Sequence, residues 1–178
     1  MSRNGDWMQT YLGLKFWPVD PRPEEVSIVD IAHALACQCR YGGHSSEFYS
    51  VAQHSLIVSH IVPAEHAKWG LLHDAAEAYL VDLPRPIKRF SALGNQYKHI
   101  EERLMACICQ RFGLEIDEPS SVKEADNIAL MTEKRDLMPN SPDKWAETAE
   151  PLEAIISPMS WVQAKRAFLE RFGELGIN

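Results

Sequence analysis

The chain carries an adjacent histidine and aspartate, His73 and Asp74, within the otherwise apolar segment 67–78. Such a pair is costly to bury unless a metal ion or polar partners compensate its charge. Taken alone, the dipeptide favours a hydrogen-bonded pair in the protein core. The residues elsewhere in the chain change that interpretation.

Two further side chains could join this pair in a metal site. His54 projects from an apolar helical segment earlier in the chain, and Asp126 projects from another one later. Two imidazoles and two carboxylates make a mixed nitrogen and oxygen ligand set, which suits a divalent transition ion and leaves positions open for water or substrate. Open positions are typical of a catalytic metal.

Hydrophobic spacing and capping signals predict the helices that must position these residues. Ser50 and Gln53 form a capping box ahead of the segment that carries His54. Pro63 opens the next helix, whose nearly continuous apolar character extends past His73. An earlier helical pattern begins at Asp30, which is available as its cap.

Further helices follow the proline-rich bend 83–86, which stops the helix before it. We expect a long amphipathic helix from about Asn95, with Gly113 as its C-terminal stop. A second capping box, at 121–124, opens the helix that holds Asp126 in its first turns.

The chain is predicted to be a single all-α domain over 1–178. We expect an irregular or hairpin-containing extension over 1–29, a helical core over 30–137, a surface connection over 138–157 and a C-terminal helix over 158–175. Closely spaced prolines argue against helix in the extension, and no alternation of apolar residues is long enough for a substantial sheet.

Composition excludes several classes of function. The 178 residues suit one domain, and 18 Lys and Arg against 25 Asp and Glu give a charge of −7, which argues against coating a nucleic-acid polymer. The apolar runs fall far short of the roughly 20 residues that cross a bilayer, and the polar start lacks a signal-peptide pattern. We therefore expect a soluble cytoplasmic protein that binds no membrane.

Four cysteines occur as two Cys-x-Cys pairs, Cys37 with Cys39 and Cys107 with Cys109. Structural zinc sites usually leave two to four residues between paired ligands, so this spacing is weak evidence for zinc. We expect ordinary reduced thiols.

Four motifs, in this order, resemble the HD-domain metal-dependent phosphohydrolases, whose pattern is His, then His-Asp, then Asp on a helical core. They occupy segments 50–55, 72–77, 82–88 and 122–126. The resemblance covers roughly residues 31–137, and the motifs are similar in particular to those of the small 5′-deoxynucleotidase branch. It implies an HD-domain helical bundle and, as a partner, a second copy of the chain in a homodimer.

The resemblance implies that His54, His73, Asp74 and Asp126 bind one divalent transition metal, namely Co, Mn, Zn, Ni or Fe. It also implies that Glu77 acts with Asp74 in catalysis, by working on the attacking water or the leaving oxygen. Helical spacing agrees, since residues 73 and 77 are four apart and would share a face. The alternative for Glu77 is a surface or salt-bridged glutamate.

The resemblance also implies contacts to a deoxynucleotide substrate. Arg40 and Lys88 match positions near phosphate, where the transition state spreads its negative charge. Asp82 matches an acid near the sugar hydroxyl, with a turn aspartate as the alternative. Tyr41 could pack against the sugar or base or be an ordinary loop aromatic, and we expect Arg85 to be a solvated surface charge.

Together, the metal ligands, Glu77 and the substrate contacts implied by the resemblance indicate an enzyme that hydrolyses deoxynucleoside 5′-monophosphates to deoxynucleoside and phosphate. The alternative within the class is a deoxynucleoside triphosphate hydrolase that releases tripolyphosphate, since Arg40 and Lys88 could hold a longer phosphate chain. A binding module without turnover and an interaction protein with a structural metal are alternatives from other classes.

Overall fold

The computed structural model describes residues 3–146 and 148–176. The helices in that part of the chain are α1 (Ile28–Cys37), α2 (Val51–Ile61), α3 (Ala67–Leu72), α4 (Glu77–Leu80), α5 (Arg85–Phe90), α6 (Ala92–Phe112), α7 (Ser120–Leu137) and α8 (Trp161–Glu174). Strands β1 (Met8–Gln9) and β2 (Lys15–Phe16) form an antiparallel hairpin before them. The prediction of an all-α fold with a short hairpin-containing extension is confirmed.

The N-terminal hairpin is anchored to the helices by Phe16. This side chain is fully buried and stacks on Tyr79 of α4, with ring centroids 3.9 Å apart. The predicted cap at Asp30 is wrong, because α1 begins two residues earlier and one Asp30 carboxylate oxygen accepts a hydrogen bond from the Leu12 amide instead. The carboxylate therefore fastens the extension to the first helix.

Helix α2 lies at the centre of the fold and packs against α1, α3, α7 and α8. The predicted cap is confirmed, since the Ser50 hydroxyl accepts a hydrogen bond from the Gln53 amide. The Gln53 side chain does not complete the capping box, because it bonds instead to the backbone of Ser157 and Met159. Burial on all sides is what isolates His54 from water.

Gly70 allows α3 to approach α2 closely. A Cβ atom at this position would lie only 3.0 Å from the Cα atom of Ser59 on α2. The small residue therefore brings the end of α3 against the helix that carries His54, and His73 follows directly.

The helix predicted from Pro63 through Glu77 is broken after α3. Across the break the Ala75 amide donates to the Leu72 carbonyl and the Glu77 amide donates to the Asp74 carbonyl, both three residues back. His73 and Glu77 therefore do not lie on one continuous helix: His73 follows the end of α3, and Glu77 begins α4.

Other helix ends lie close to their predicted positions. Gly113 follows α6 in the left-handed conformation, with φ 65°, as expected of a C-terminal stop. Helix α7 begins at Ser120, so the predicted capping serine lies inside its first turn. Helix α8 begins three residues after Pro158, because Ser160 and Gln163 form a full capping box there.

The segment between α7 and α8 is irregular over 138–146 and 148–160 and is fastened to α7 by hydrogen bonds. The Arg135 guanidinium donates to the carbonyls of Leu152 and Ala154, and the Thr132 hydroxyl accepts from the Leu152 amide. Within residues 3–146 and 148–176, no helix is both long and apolar enough to cross a membrane.

Candidate metal centre

The four predicted ligands converge where α2, the end of α3 and the first turns of α7 meet. Nε2 of His54 lies 3.2 Å from Nε2 of His73 and 3.2 Å from Oδ1 of Asp126. Oδ2 of Asp74 lies 3.3 Å from Nε2 of His73 and 3.7 Å from Nε2 of His54. His54, His73 and Asp74 thus place their ligand atoms within 4.8 Å of one another, and Asp126 contacts this group through His54.

Both imidazoles are oriented by an acceptor on their other nitrogen. Nδ1 of His54 donates to Oε1 of Glu133 at 2.6 Å, and Nδ1 of His73 donates to the carbonyl of Gly70 at 2.9 Å. These bonds fix the orientation of both rings and direct both Nε2 atoms, the nitrogens that would bind a cation, towards the carboxylates of Asp74 and Asp126.

The spacing of the ligand atoms also fits a divalent ion. Bonds of about 2.0–2.2 Å that meet at angles of about 90–109° separate ligand atoms by roughly 2.8–3.6 Å. The separations of 3.2, 3.2 and 3.3 Å lie in this range, and the fourth, 3.7 Å, lies just above it. His54, His73 and Asp74 therefore form a group that could hold a metal ion.

Mutual charge compensation keeps both acids ionised. Burial would raise the pKa of Asp126, but the hydrogen bond and charge of His54 hold it well below its usual range. Burial would likewise raise the pKa of Asp74, and the charge of His73 lowers it instead. Burial lowers the pKa of His54, but the carboxylates of Glu133 and Asp126 outweigh it and the pKa rises to about 9.

Glu133, which sequence reasoning missed, organises the buried side of the site. Its carboxylate is fully buried and accepts hydrogen bonds from Nδ1 of His54, from the hydroxyls of Tyr41 and Tyr49, and from Nε of Arg40 at 3.3 Å. Four donors on one carboxylate hold its charge directly behind His54. Such an outer partner fixes the ring and increases the basicity of the ligand nitrogen.

The sequence feature that could have identified Glu133 is its spacing from Asp126. The two acids are seven residues apart, which is two helical turns, so they lie on one face of α7. One helix thus presents a carboxylate to each nitrogen of His54.

Arg40 connects the buried side of the site to the ligands. Its Nε contacts Glu133, and its Nη1 lies 3.4 Å from Oδ2 of Asp74. Tyr41 follows it in a left-handed conformation, with φ 57°, and its hydroxyl lies on the Nδ1 side of His54. The predicted phosphate contact of Arg40 and nucleoside contact of Tyr41 stay predictions.

Glu77 is buried next to the ligands. The residue is 5% exposed, and Oε2 has no hydrogen-bond partner within the described part of the chain. Burial, followed by the charges of Asp74 and Asp82, raises the pKa of Glu77 well above the usual range. A buried carboxyl with a raised pKa and an unused oxygen is suited to proton transfer.

Asp82 and two basic residues of α5 surround the site. Burial raises the pKa of Asp82. Lys88 donates to Oε1 of Glu101 at 2.6 Å, so its predicted phosphate contact also stays a prediction. The expectation that Arg85 is a solvated surface charge is wrong, because Nη2 of this residue lies 3.2 Å from Oδ2 of Asp126.

Comparison with known proteins shows two relatives of this chain. It is 39% identical over 173 residues to a protein of Escherichia coli (strain K12) named uncharacterized protein YfdR, and the match spans 95% of each chain. It is also 37% identical over 128 residues to an uncharacterized protein of Rhodobacter capsulatus, across 67% of this chain and 64% of that one. No family model matches the sequence. The extent and identity of the first match show that the chain belongs to the family of the Escherichia coli protein YfdR.

Proposed function

We propose that this protein is an HD-domain phosphohydrolase that uses one divalent metal to hydrolyse deoxynucleoside 5′-monophosphates to deoxynucleoside and phosphate. The observation that carries the proposal is the group of His54, His73 and Asp74, whose ligand atoms lie within 4.8 Å of one another, with Oδ1 of Asp126 3.2 Å from Nε2 of His54. The order of the four sequence motifs supports the choice of reaction.

A divalent ion held by these four residues would supply a Lewis acid for the phosphate oxygens and would make the attacking water more acidic. Glu77 holds or releases a proton at Oε2, the carboxyl oxygen left without a partner among the described residues. It would take that proton from the attacking water or give it to the leaving 5′ oxygen. The Arg40 guanidinium, next to Asp74, would orient the phosphate.

A second candidate reaction is the hydrolysis of deoxynucleoside triphosphates with release of tripolyphosphate. The position of Arg85 favours it, since this guanidinium lies against Asp126 and adds a cation to Arg40 and Lys88 around the ligands. A longer phosphate chain needs more positive charge than a single phosphate. The two reactions differ in the phosphorus product.

The test is product analysis with purified protein, added Mn²⁺ or Co²⁺, and a panel of deoxynucleoside and ribonucleoside monophosphates and deoxynucleoside triphosphates. We expect inorganic phosphate from the deoxynucleoside monophosphates and none with Asp74→Ala. Tripolyphosphate from the triphosphates would support the second reaction. No product from any member of the panel would contradict both.

Substitution Glu133→Gln is expected to weaken metal binding. Glutamine keeps the size of the side chain but removes the charge behind His54, so we expect affinity for Mn²⁺ to fall by about 10–100-fold. Isothermal titration would measure it, with circular dichroism to confirm the helical fold. Exposed Glu150 provides the matched control, Glu150→Gln, which should bind as the unaltered protein does. Equal affinity in the Glu133 variant would contradict the assigned role.

We also propose that the protein is a cytoplasmic homodimer, as the family resemblance implies. The amphipathic segments 97–112 and 162–172 are the candidates for the dimer surface. Trp161 and Val162 at the start of α8 are 46% and 55% exposed, which supports the second segment. Sedimentation equilibrium of the purified protein would give its mass in solution.

A further inference from the structure

The turn between α4 and α5 contains a strained residue. Val81 has φ 86° and ψ 153°, a region that is essentially restricted to glycine and is a genuine outlier for a β-branched side chain. Its side chain is 58% exposed, so packing of that side chain does not explain the conformation. Strain of this kind persists only where surrounding contacts impose it.

Hydrogen bonds from two other helices impose this conformation. The hydroxyl of Tyr97 on α6 donates to the Val81 carbonyl at 2.5 Å. The side-chain amide of Gln38, at the end of α1, bonds on both sides of the turn. Its Nε2 donates to the Glu77 carbonyl at 2.9 Å, and its Oε1 accepts from the Asp82 amide at 3.0 Å.

Gln38 also connects this turn to the helix that carries His54. Its backbone carbonyl accepts a hydrogen bond from the amide of Val51, the first residue of α2, at 3.1 Å. One residue therefore links the start of α2 to the backbone of both Glu77 and Asp82. These are the two acids beside the ligand set that bind no metal in the proposed site.

We propose that Gln38 is a positioning residue for sugar specificity, which holds Asp82 in place through the strained Val81 turn. The inference rests on the proposed function and on the place near the sugar hydroxyl that the family resemblance implies for Asp82. The Asp82 carboxylate would leave room for the hydrogen at C2′ of a deoxyribose but not for the 2′ hydroxyl of a ribose. The distance from this carboxylate to C2′ would therefore set the sugar preference. That distance depends on the turn, and the turn relaxes when the Gln38 amide is removed.

The first variant is Gln38→Met, which keeps the length of the side chain and removes both of its hydrogen bonds to the turn. The measurement is the ratio of kcat/KM for a deoxynucleoside monophosphate to that for the ribonucleotide with the same base. We expect this ratio to fall by about tenfold, because sugar specificity depends on how much more strongly the enzyme binds the transition state of the deoxyribonucleotide than that of the ribonucleotide. A general loss of activity cancels in the ratio. Gln110, exposed on α6, provides the matched control Gln110→Met.

The second variant adds Val81→Gly to Gln38→Met. Glycine adopts the conformation of Val81 without strain, so the turn no longer needs the amide to hold it. We expect the double variant to recover most of the lost sugar preference. Loss of preference that glycine does not restore, or an unchanged ratio in Gln38→Met, would overturn the inference.

Hydrogen exchange separates this inference from the proposed function. The Asp82 amide donates to Oε1 of Gln38, so it should exchange faster in Gln38→Met and stay fast in the double variant, which lacks the same acceptor. If the unaltered protein hydrolyses no nucleotide, the proposed function fails, while faster exchange in Gln38→Met would still show that Gln38 holds the backbone at Asp82. Unchanged exchange in Gln38→Met would refute the positioning whatever the activity.

Discussion

Substitution Asp74→Asn is expected to abolish hydrolysis of deoxynucleoside monophosphates while the helices stay folded. Oδ2 of Asp74 faces Nε2 of His73, so the carboxylate supplies negative charge at the centre of the ligand set. Asparagine keeps the shape and removes that charge. We expect kcat/KM to fall by at least roughly 10³-fold, because Lewis-acid stabilisation contributes several kcal/mol.

The folded state of Asp74→Asn should survive because the neighbouring cation keeps a partner. Arg40, which contacts Asp74, also contacts the buried carboxylate of Glu133. Phosphate release and circular dichroism would be measured together, with Asp117→Asn at an exposed position as the control. Collapse of the fold would support a structural metal, and full activity would exclude Asp74 as a ligand of a catalytic ion.

Substitution Glu77→Gln is expected to stop turnover without loss of metal binding. Glutamine keeps the size of the side chain, and the raised pKa of the buried Glu77 carboxyl means that its charged form is disfavoured. A neutral replacement should therefore change stability little. Glutamine cannot accept and return a proton, so kcat should fall by about 10²–10⁴-fold.

The readout for Glu77→Gln is kcat together with Mn²⁺ affinity. Exposed Glu102 on α6 provides the control Glu102→Gln, which should leave both unchanged. Parallel loss of metal affinity and turnover would place Glu77 among the ligands. Unaltered kcat would instead show that Glu77 has a structural role and takes no part in proton transfer.

The identity of the candidate ligands could be read from the sequence because each one interrupts an apolar segment. A polar side chain in such a segment must find compensation when the segment is buried, so its position alone marks it. The start of α2 after Ser50 and the end of α6 before Gly113 were also predictable, because capping depends on residues within one helical turn.

The break between α3 and α4 was not predictable from local pattern. Residues 67–78 are apolar enough for one continuous helix, and the break depends on how the segment packs. Close approach to α2 at Gly70 and the anchoring of Tyr79 by Phe16 are contacts between distant parts of the chain. The break decides that Glu77 begins a new helix instead of continuing the one that ends before His73.

The sequence by itself determined the all-α class and the side chains whose chemistry suits a metal. Only the tertiary structure decided what supports them: Glu133 bonds to His54 across 79 positions, and Gln38 joins α1 to a turn 44 positions later. The physical reason is that a cap or an apolar stripe involves neighbours along the chain. The partners of a buried polar group are instead whatever donors and acceptors the packed helices bring within hydrogen-bonding distance.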